Sequence, residues 1–415
     1  MSARVARGIV GAVLSVLAGA VAIGLGGCGS GARCVHLREA LNRCGFPVGE
    51  LNCARVDFTT LEELSARMET RSCGGLSDGD AVDPRLCAVA NWACPDSPTL
   101  ELPARPTANP VIFVGGIDDT PIFDWNPNIV KAVREAGSDA HHVKVLSWAP
   151  TKERAFDLWQ SLSSLRTQLG ARKLNLVCYA VAGLDCRYLV SPNGLFKADA
   201  TARAEVVGAI ASVTTIATPH RGTRVAEAAI VALESWTVTD VLHTLLGVEL
   251  PSTLPDDARL TSTLRGLTLE ALWMFNQTIR DEPQIYYQSW AGVSSFSGKR
   301  SDAAEKLAAT YCVDADGQLA YGRHADTVDA LNPALWPPMP FSGTARGDDG
   351  AVVASPSDGM ISVVSAKWGR FRGCLPADHY DVIGELGHTT RDPLTGFDAR
   401  RFYAFVAADL AERGY

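Results

Sequence analysis

The stretch LNLVCYAVAGLDCRYLV, from Leu174 to Val190, comes nearest to covalent chemistry by residue type and spacing. It reads as a buried strand, a tight turn and a helix. Such a turn presents a nucleophile at its tip in the pattern G-x-S-x-G, with small flanking residues that let strand and helix meet sharply. The corresponding residues are Cys178, Tyr179, Ala180, Val181 and Ala182, followed by Gly183. Cys178 and Ala182 are small enough for the turn. Ala180 has a Cβ but no oxygen, so the frame for a nucleophile is expected without the nucleophile itself. An alanine held at positive φ carries a penalty of ~1–2 kcal/mol, so the turn is expected either to keep that strain or to relax it. Cys178 sits on the buried strand end, where a structural thiol or a bridge to Cys186 is expected rather than an attacking thiolate.

A turn of this kind has to be carried on a sheet. PVIFVGG, HHVKVLSW, LNLVCYA and part of EVVGAIASVTTIAT are strand-like apolar runs. NIVKAVREAG and RAFDLWQSLSSLRTQLG, between them, have helical spacing. Strands alternating with helices predict an α/β fold, a mostly parallel sheet covered on both faces. Upstream lies a different composition. Cys34, Cys44, Cys53, Cys73, Cys87 and Cys94 fall within one short region without zinc-type spacing, which reads as a disulfide-stapled, helical module. The proline-rich PDSPTLELPARPTANP separates the two. The expected organisation is an export signal at 1–27, a cysteine-rich module at 28–100, a linker at 101–109 and the α/β domain at 110–415.

From Pro110 onward the chain resembles the bacterial secreted triacylglycerol lipases and their esterase relatives, of the α/β-hydrolase superfamily. The matching segments, in order, are PVIFVGGIDD, LNLVCYAVAGLDCRYL, VTTIATPHRGT, IYYQSWAG, SDGMISVVSAKWG and ADHYDVIGEL. The resemblance implies an α/β-hydrolase fold with lid helices over an acyl-binding cleft, the lid drawn from VAEAAIVALESWTVTDVLHTLLGVELPS. It implies a triad in the order nucleophile, acid, histidine: the vacant Ala180, Asp358 and His379. It implies an oxyanion hole from the backbone N–H groups of Ile117 and Val181. Two further departures fall at the same site, Gly115 and Tyr179, where the family has histidines. The resemblance also implies structural Ca²⁺ near the histidine loop, with Asn332, Asp381 and Glu385 as oxygen ligands. No other cofactor is required. Cys312 and Cys374 are the most natural pair among the cysteines of this domain, and a bridge there would pin the histidine loop.

The N-terminus carries Arg4 and Arg7, then an uncharged run from Gly8 to Gly27 that ends in LGGC. This reads as a signal peptide. Its cysteine, Cys28, resembles the lipidated residue of a bacterial lipoprotein, and Gly29 after it favours the outer membrane. Ten of the 11 cysteines then remain, an even number suited to an oxidising compartment. A formal charge of −8 without any Lys/Arg run argues against nucleic acid as a partner. Three functions follow as expectations. One is a catalytically impaired pseudo-lipase, membrane-anchored through Cys28, that binds a lipid, an acyl ligand or a protein. Another is an active lipase or carboxylesterase with a non-standard nucleophile. The third is an envelope interaction protein acting through its cysteine-rich module.

Overall fold

The computed structural model describes residues 105–118, 120, 123–245, 254–296, 310–313, 329–384 and 397–415, with residues 34, 35, 37–39, 51, 64, 77, 78, 81 and 82. Cys28, the expected export segment and most of the expected cysteine-rich module lie outside the described residues. Within the module, Cys34, Val35 and residues 37–39 are helical, as VHLREALNRC suggests, and Cys34 is disulfide-bonded.

Six strands form the central sheet: β1 (Val111–Val114), β2 (Ala140–Val143), β3 (Leu174–Tyr179), β4 (Ile210–Ile216), β5 (Tyr286–Gly292) and β6 (Arg370–Leu375). Their spatial order is β6-β5-β4-β3-β1-β2, and every neighbouring pair is parallel. Both faces are covered, as the near-continuous apolar runs require. Successive side chains point to opposite faces. On one face Val111, Phe113, Val177 and Tyr179 join a core with Val133, Phe402 and Tyr403. On the other, Ile112, Val114, Leu176 and Cys178 pack with Leu158, Leu162 and Val206.

The first core is supplied by α1 (Pro127–Glu135) and α9 (Ala399–Glu412), the second by α2 (Thr151–Leu169), α3 (Ala182–Val190) and α4 (Ala200–Ala209). Local signals set their ends. Asn126 caps α1 ahead of Pro127, and α2 stops at Gly170 in the left-handed conformation, φ 60°. After β4 come α5 (Arg224–Ala232), α6 (Val238–Leu245), α7 (Asp257–Arg265) and α8 (Leu269–Thr278). The apolar segment expected as lid therefore divides into α5 and α6, and residues 246–253 lie outside the described residues.

Two boundaries differ from the sequence reading. The run HHVKVLSW is strand only as far as Val143. Its strand is at the sheet edge, and Lys144 turns out to meet Asp124 at 2.8 Å. In EVVGAIASVTTIAT the first five residues finish α4, and the strand begins at Ile210. The end of the proline-rich stretch is tied to the domain: the Ala108 N–H donates to the Tyr415 carbonyl at 2.7 Å.

The chain leaves β1, adds β2 on one side and returns to add β3 on the other. The carboxyl ends of β1 and β3 thus flank a topological switch point, where open α/β sheets bind ligands. Gly115–Ile117 follow β1 and Ala180–Val181 follow β3.

Candidate functional site

The turn after β3 has the geometry of a nucleophile elbow. Ala180 has φ 48°, so the strain is kept and not relaxed. The Ala180 N–H donates to the Ile216 carbonyl at 2.9 Å, and the Gly183 N–H donates back to the Ala180 carbonyl at 3.1 Å. A Cβ on Gly183 would lie 2.1 Å from Thr218 Oγ1, so only glycine lets α3 dock against the end of β4. Cys178 and Cys186 are joined in a buried disulfide between β3 and α3, so Cys178 holds no free thiol.

Asp358 and His379 are brought together, both buried. Asp358 Oδ2 lies 2.8 Å from His379 Nδ1. Its Oδ1 accepts the N–H groups of Met360 and Ile361 at 2.9 and 2.7 Å. The His379 N–H donates to the Asp358 carbonyl at 2.9 Å. Tyr179 adds a contact the sequence did not suggest. Its hydroxyl donates to the His379 carbonyl at 2.8 Å, and the two rings lie 5.1 Å apart. Burial raises the Tyr179 phenol well above its ordinary range, so it stays a donor. The imidazole is thus held by its Nδ1, its backbone and a neighbouring ring. Nε2 is the nitrogen left for the cleft that the ring lines.

The Ile117 and Val181 N–H groups have no hydrogen-bond partner among the described residues. Both residues line the same cleft as Ala180 and His379. Behind Ile117 lies a residue that sequence reasoning missed. Arg154, on α2, is fully buried. It donates to the carbonyls of Gly116 at 2.6 Å, Ile117 at 3.1 Å and Leu146 at 2.7 Å, and to Asp185 Oδ2 on α3 at 2.8 Å. One guanidinium therefore ties the loop after β1 to the elbow helix. Burial pushes the Asp185 carboxyl up to about 6, with the charge and hydrogen bond of Arg154 pulling the other way. A Cβ on Gly116 would meet the Phe123 carbonyl at 2.9 Å and the Tyr179 ring at 3.1 Å. The loop is packed to that limit.

The cleft is apolar. Phe123, Trp148, Val225, Leu264, Leu267 and Met360 close around Ala180, leaving a cavity of about 50 Å³. Trp148, like Ala180, sits at positive φ, 46°; such outliers concentrate at functional sites. Ligand pockets run to ~300–1,000 Å³, so a ligand of that size would need the lining residues of α5 and α7, Val225 and Leu264 among them, to move apart. Among the described residues, no helix is long and apolar enough to cross a membrane.

Near the histidine loop, Asp329, Asp378 and Asp381 each offer a carboxylate oxygen, all within 4.8 Å of one another. Three such oxygens suit a hard divalent cation. Asp381 was expected there; Asp329 and Asp378 were not. Asn332 is adjacent through its backbone, its N–H donating to Asp378 Oδ2 at 2.7 Å, while its side chain caps Ala334. Glu385 lies outside the described residues. The Cys312–Cys374 disulfide forms, anchoring β6 just ahead of the histidine loop.

No protein-family model matches the chain. It is 24% identical over 301 residues to triacylglycerol lipase 2 of Saccharomyces cerevisiae, covering 69% of this chain and 73% of that protein. It is 25% identical over 300 residues to a triacylglycerol lipase of Pseudomonas fragi, covering 69% and 91%. Among solved structures it is similar to EstA from Clostridium botulinum, with TM-score 0.46, 14% identity and coverage of 75% and 89%. By sequence the chain resembles triacylglycerol lipases, and its parallel six-stranded sheet with helices on both faces fits an α/β-hydrolase fold.

Proposed function

We propose that this chain is a pseudo-lipase, which holds an acyl-bearing lipid in its cleft without hydrolysing it. The observation that carries the reading is the methyl group of Ala180 at the tip of a strained elbow. In a serine hydrolase the histidine takes the proton of the serine hydroxyl while backbone N–H groups receive the oxyanion. Here Asp358 and His379 remain paired and the N–H groups of Ile117 and Val181 have no partner among the described residues, but position 180 has no proton to give and no oxygen to attack. An ester carbonyl could still accept hydrogen bonds at that position, which binds without turnover. The triacylglycerol lipases among the relatives support an acylglycerol or similar ester lipid as the ligand class.

The same reading includes a structural Ca²⁺ held by Asp329, Asp378 and Asp381, and an exported lipoprotein anchored through Cys28 at the outer membrane. The second reading is an active esterase. The retained Asp358–His379 hydrogen bond favours it, since His379 could activate a water. The test is displacement of a fluorescent fatty acid from the full chain, alongside p-nitrophenyl ester turnover against a mock-purified control. Saturable binding that Ala226→Trp abolishes, with turnover at the control level, is expected. Turnover above the control that disappears in His379→Ala would overturn the pseudo-lipase reading.

A further inference from the structure

A second cavity, of about 170 Å³, is lined by Arg221, Arg280, Arg346, Asp348, Trp273 and Asn276, with Trp368 behind. It is close to the ~150 Å³ that admits a benzene-sized guest, but its chemistry is the reverse of the cleft's. Three guanidinium groups face one carboxylate in a chain whose net charge is −8. Asp348 pairs with Arg221, and Glu270 pairs with Arg346 at 2.7 Å. Arg280 is exposed and has no carboxylate partner among the described residues. The Nε atoms of Arg221 and Arg346 are buried and make no hydrogen bond. A buried donor without a partner is destabilising, and two of the three arginines carry one.

A further cation stands beneath the floor. Arg187 is buried with its guanidinium carbon 3.3 Å from the Trp368 ring centroid. Burial lowers it to about 9, still cationic at neutral pH. Asn276 is fixed between Arg187 and the His220 carbonyl, at 3.0 and 2.7 Å. Trp368 lies just ahead of β6, and His379 lies after that strand's other end. The cavity and the cleft share no lining residue, although Pro219 and Thr223 of the cleft flank Arg221.

We propose that this cavity binds a phosphoryl group, as a small phosphate ester or a phospholipid headgroup. Guanidinium groups pair with phosphate oxygens in strong charge-assisted hydrogen bonds. A tetrahedral anion offers several oxygens to arginines converging from separate segments, which a lone carboxylate does not. The site stands whether or not the cleft holds a lipid.

The test is calorimetric titration of the full chain at constant ionic strength with inorganic phosphate, glycerol 3-phosphate and dihexanoyl phosphatidylglycerol below its micelle concentration. Saturable binding of at least one probe is expected, weakened about tenfold or more in Arg280→Glu and in Arg346→Gln. Binding of glycerol 3-phosphate identifies free phosphate esters as sufficient; binding of the phosphatidylglycerol alone identifies a headgroup. Arg280 is exposed, so a thermal melt of Arg280→Glu should match wild type and separates loss of the site from loss of the fold. No saturable binding of any probe, or binding unchanged in Arg280→Glu, would overturn the proposal.

Discussion

Arg154→Met removes all four hydrogen bonds of the buried guanidinium while keeping an apolar stem of similar length. The groups it leaves are not equal. The Ile117 carbonyl still accepts the Trp148 N–H at 3.1 Å, and Leu146 is exposed enough for its carbonyl to find water. The Gly116 carbonyl and the Asp185 carboxylate lose the donors that held them, and Asp185 Oδ1 already has none. Removing one member of a buried ion pair costs ~3–5 kcal/mol. Asp185 can limit that loss by taking a proton. Burial already holds it at about 6, and losing Arg154 pushes it higher. A carboxyl raised by folding binds its proton more tightly in the native state. Its contribution to stability is therefore largest at low pH and falls as pH rises towards the folded value. The variant's loss is thus smaller near pH 5.5 than at pH 8, the gap growing by up to about 1.4 kcal/mol for each pH unit above the wild-type carboxyl's value. Urea denaturation at the two pH values, followed by tryptophan fluorescence, measures it. Arg154→Met/Asp185→Leu should recover the pH-dependent part. A loss below ~1 kcal/mol, or an equal loss at both pH values, would refute the role given to Arg154.

The Cys312–Cys374 bridge spans 62 residues. Loop-closure entropy gives it an upper value of about 4 kcal/mol, so Cys312→Ser/Cys374→Ser should lower the thermal midpoint by several degrees; an unchanged midpoint would contradict the pinning of the histidine loop. If Asp329, Asp378 and Asp381 hold Ca²⁺, a chelator lowers the thermal midpoint, added Ca²⁺ restores it, and Asp378→Asn abolishes the response. Tyr179→Phe removes the donor to the buried His379 carbonyl, with an expected loss of ~1–3 kcal/mol in urea denaturation; no loss would mean that Asp358 holds the histidine without it.

The strand-and-helix alternation was legible because buried parallel strands read as short apolar runs, and PVIFV and LNLVCY are such runs. The turn at Ala180 was legible because sharp strand-to-helix contact demands small residues, and Gly183 has no room for a Cβ. Arg154 was not. It sits in TKERAFDLW, where a charged residue looks like part of a solvated helix face, and only the fold brings it beneath the Gly116 carbonyl. Asp185 lay in plain view in GLDCRY, but a carboxylate's burial is not written in its neighbours. Tyr179 marked a departure from the family pattern, yet its hydroxyl's partner, His379, is 200 residues away. Asp329 and Asp378 were missed because their meeting depends on the short strand Asp329–Ala330 converging with the histidine loop. The three arginines of the second cavity come from the loop after β4, the segment following α8 and the strand Thr344–Arg346, which pairs with Val352–Ala354, and no spacing rule unites them.

The most direct measurement is fluorophosphonate labelling and p-nitrophenyl ester turnover of Ala180→Ser beside wild type. Nucleophile removal from a serine hydrolase typically forfeits on the order of 10⁶ in turnover. With the elbow strained, Asp358 on His379 and the N–H groups of Ile117 and Val181 lining the cleft, restoring the oxygen should give covalent labelling and at least ~10³-fold more turnover than wild type. Labelling or robust turnover by wild type, or an Ala180→Ser variant that folds yet stays inert, would contradict an intact hydrolase frame that lacks only its nucleophile.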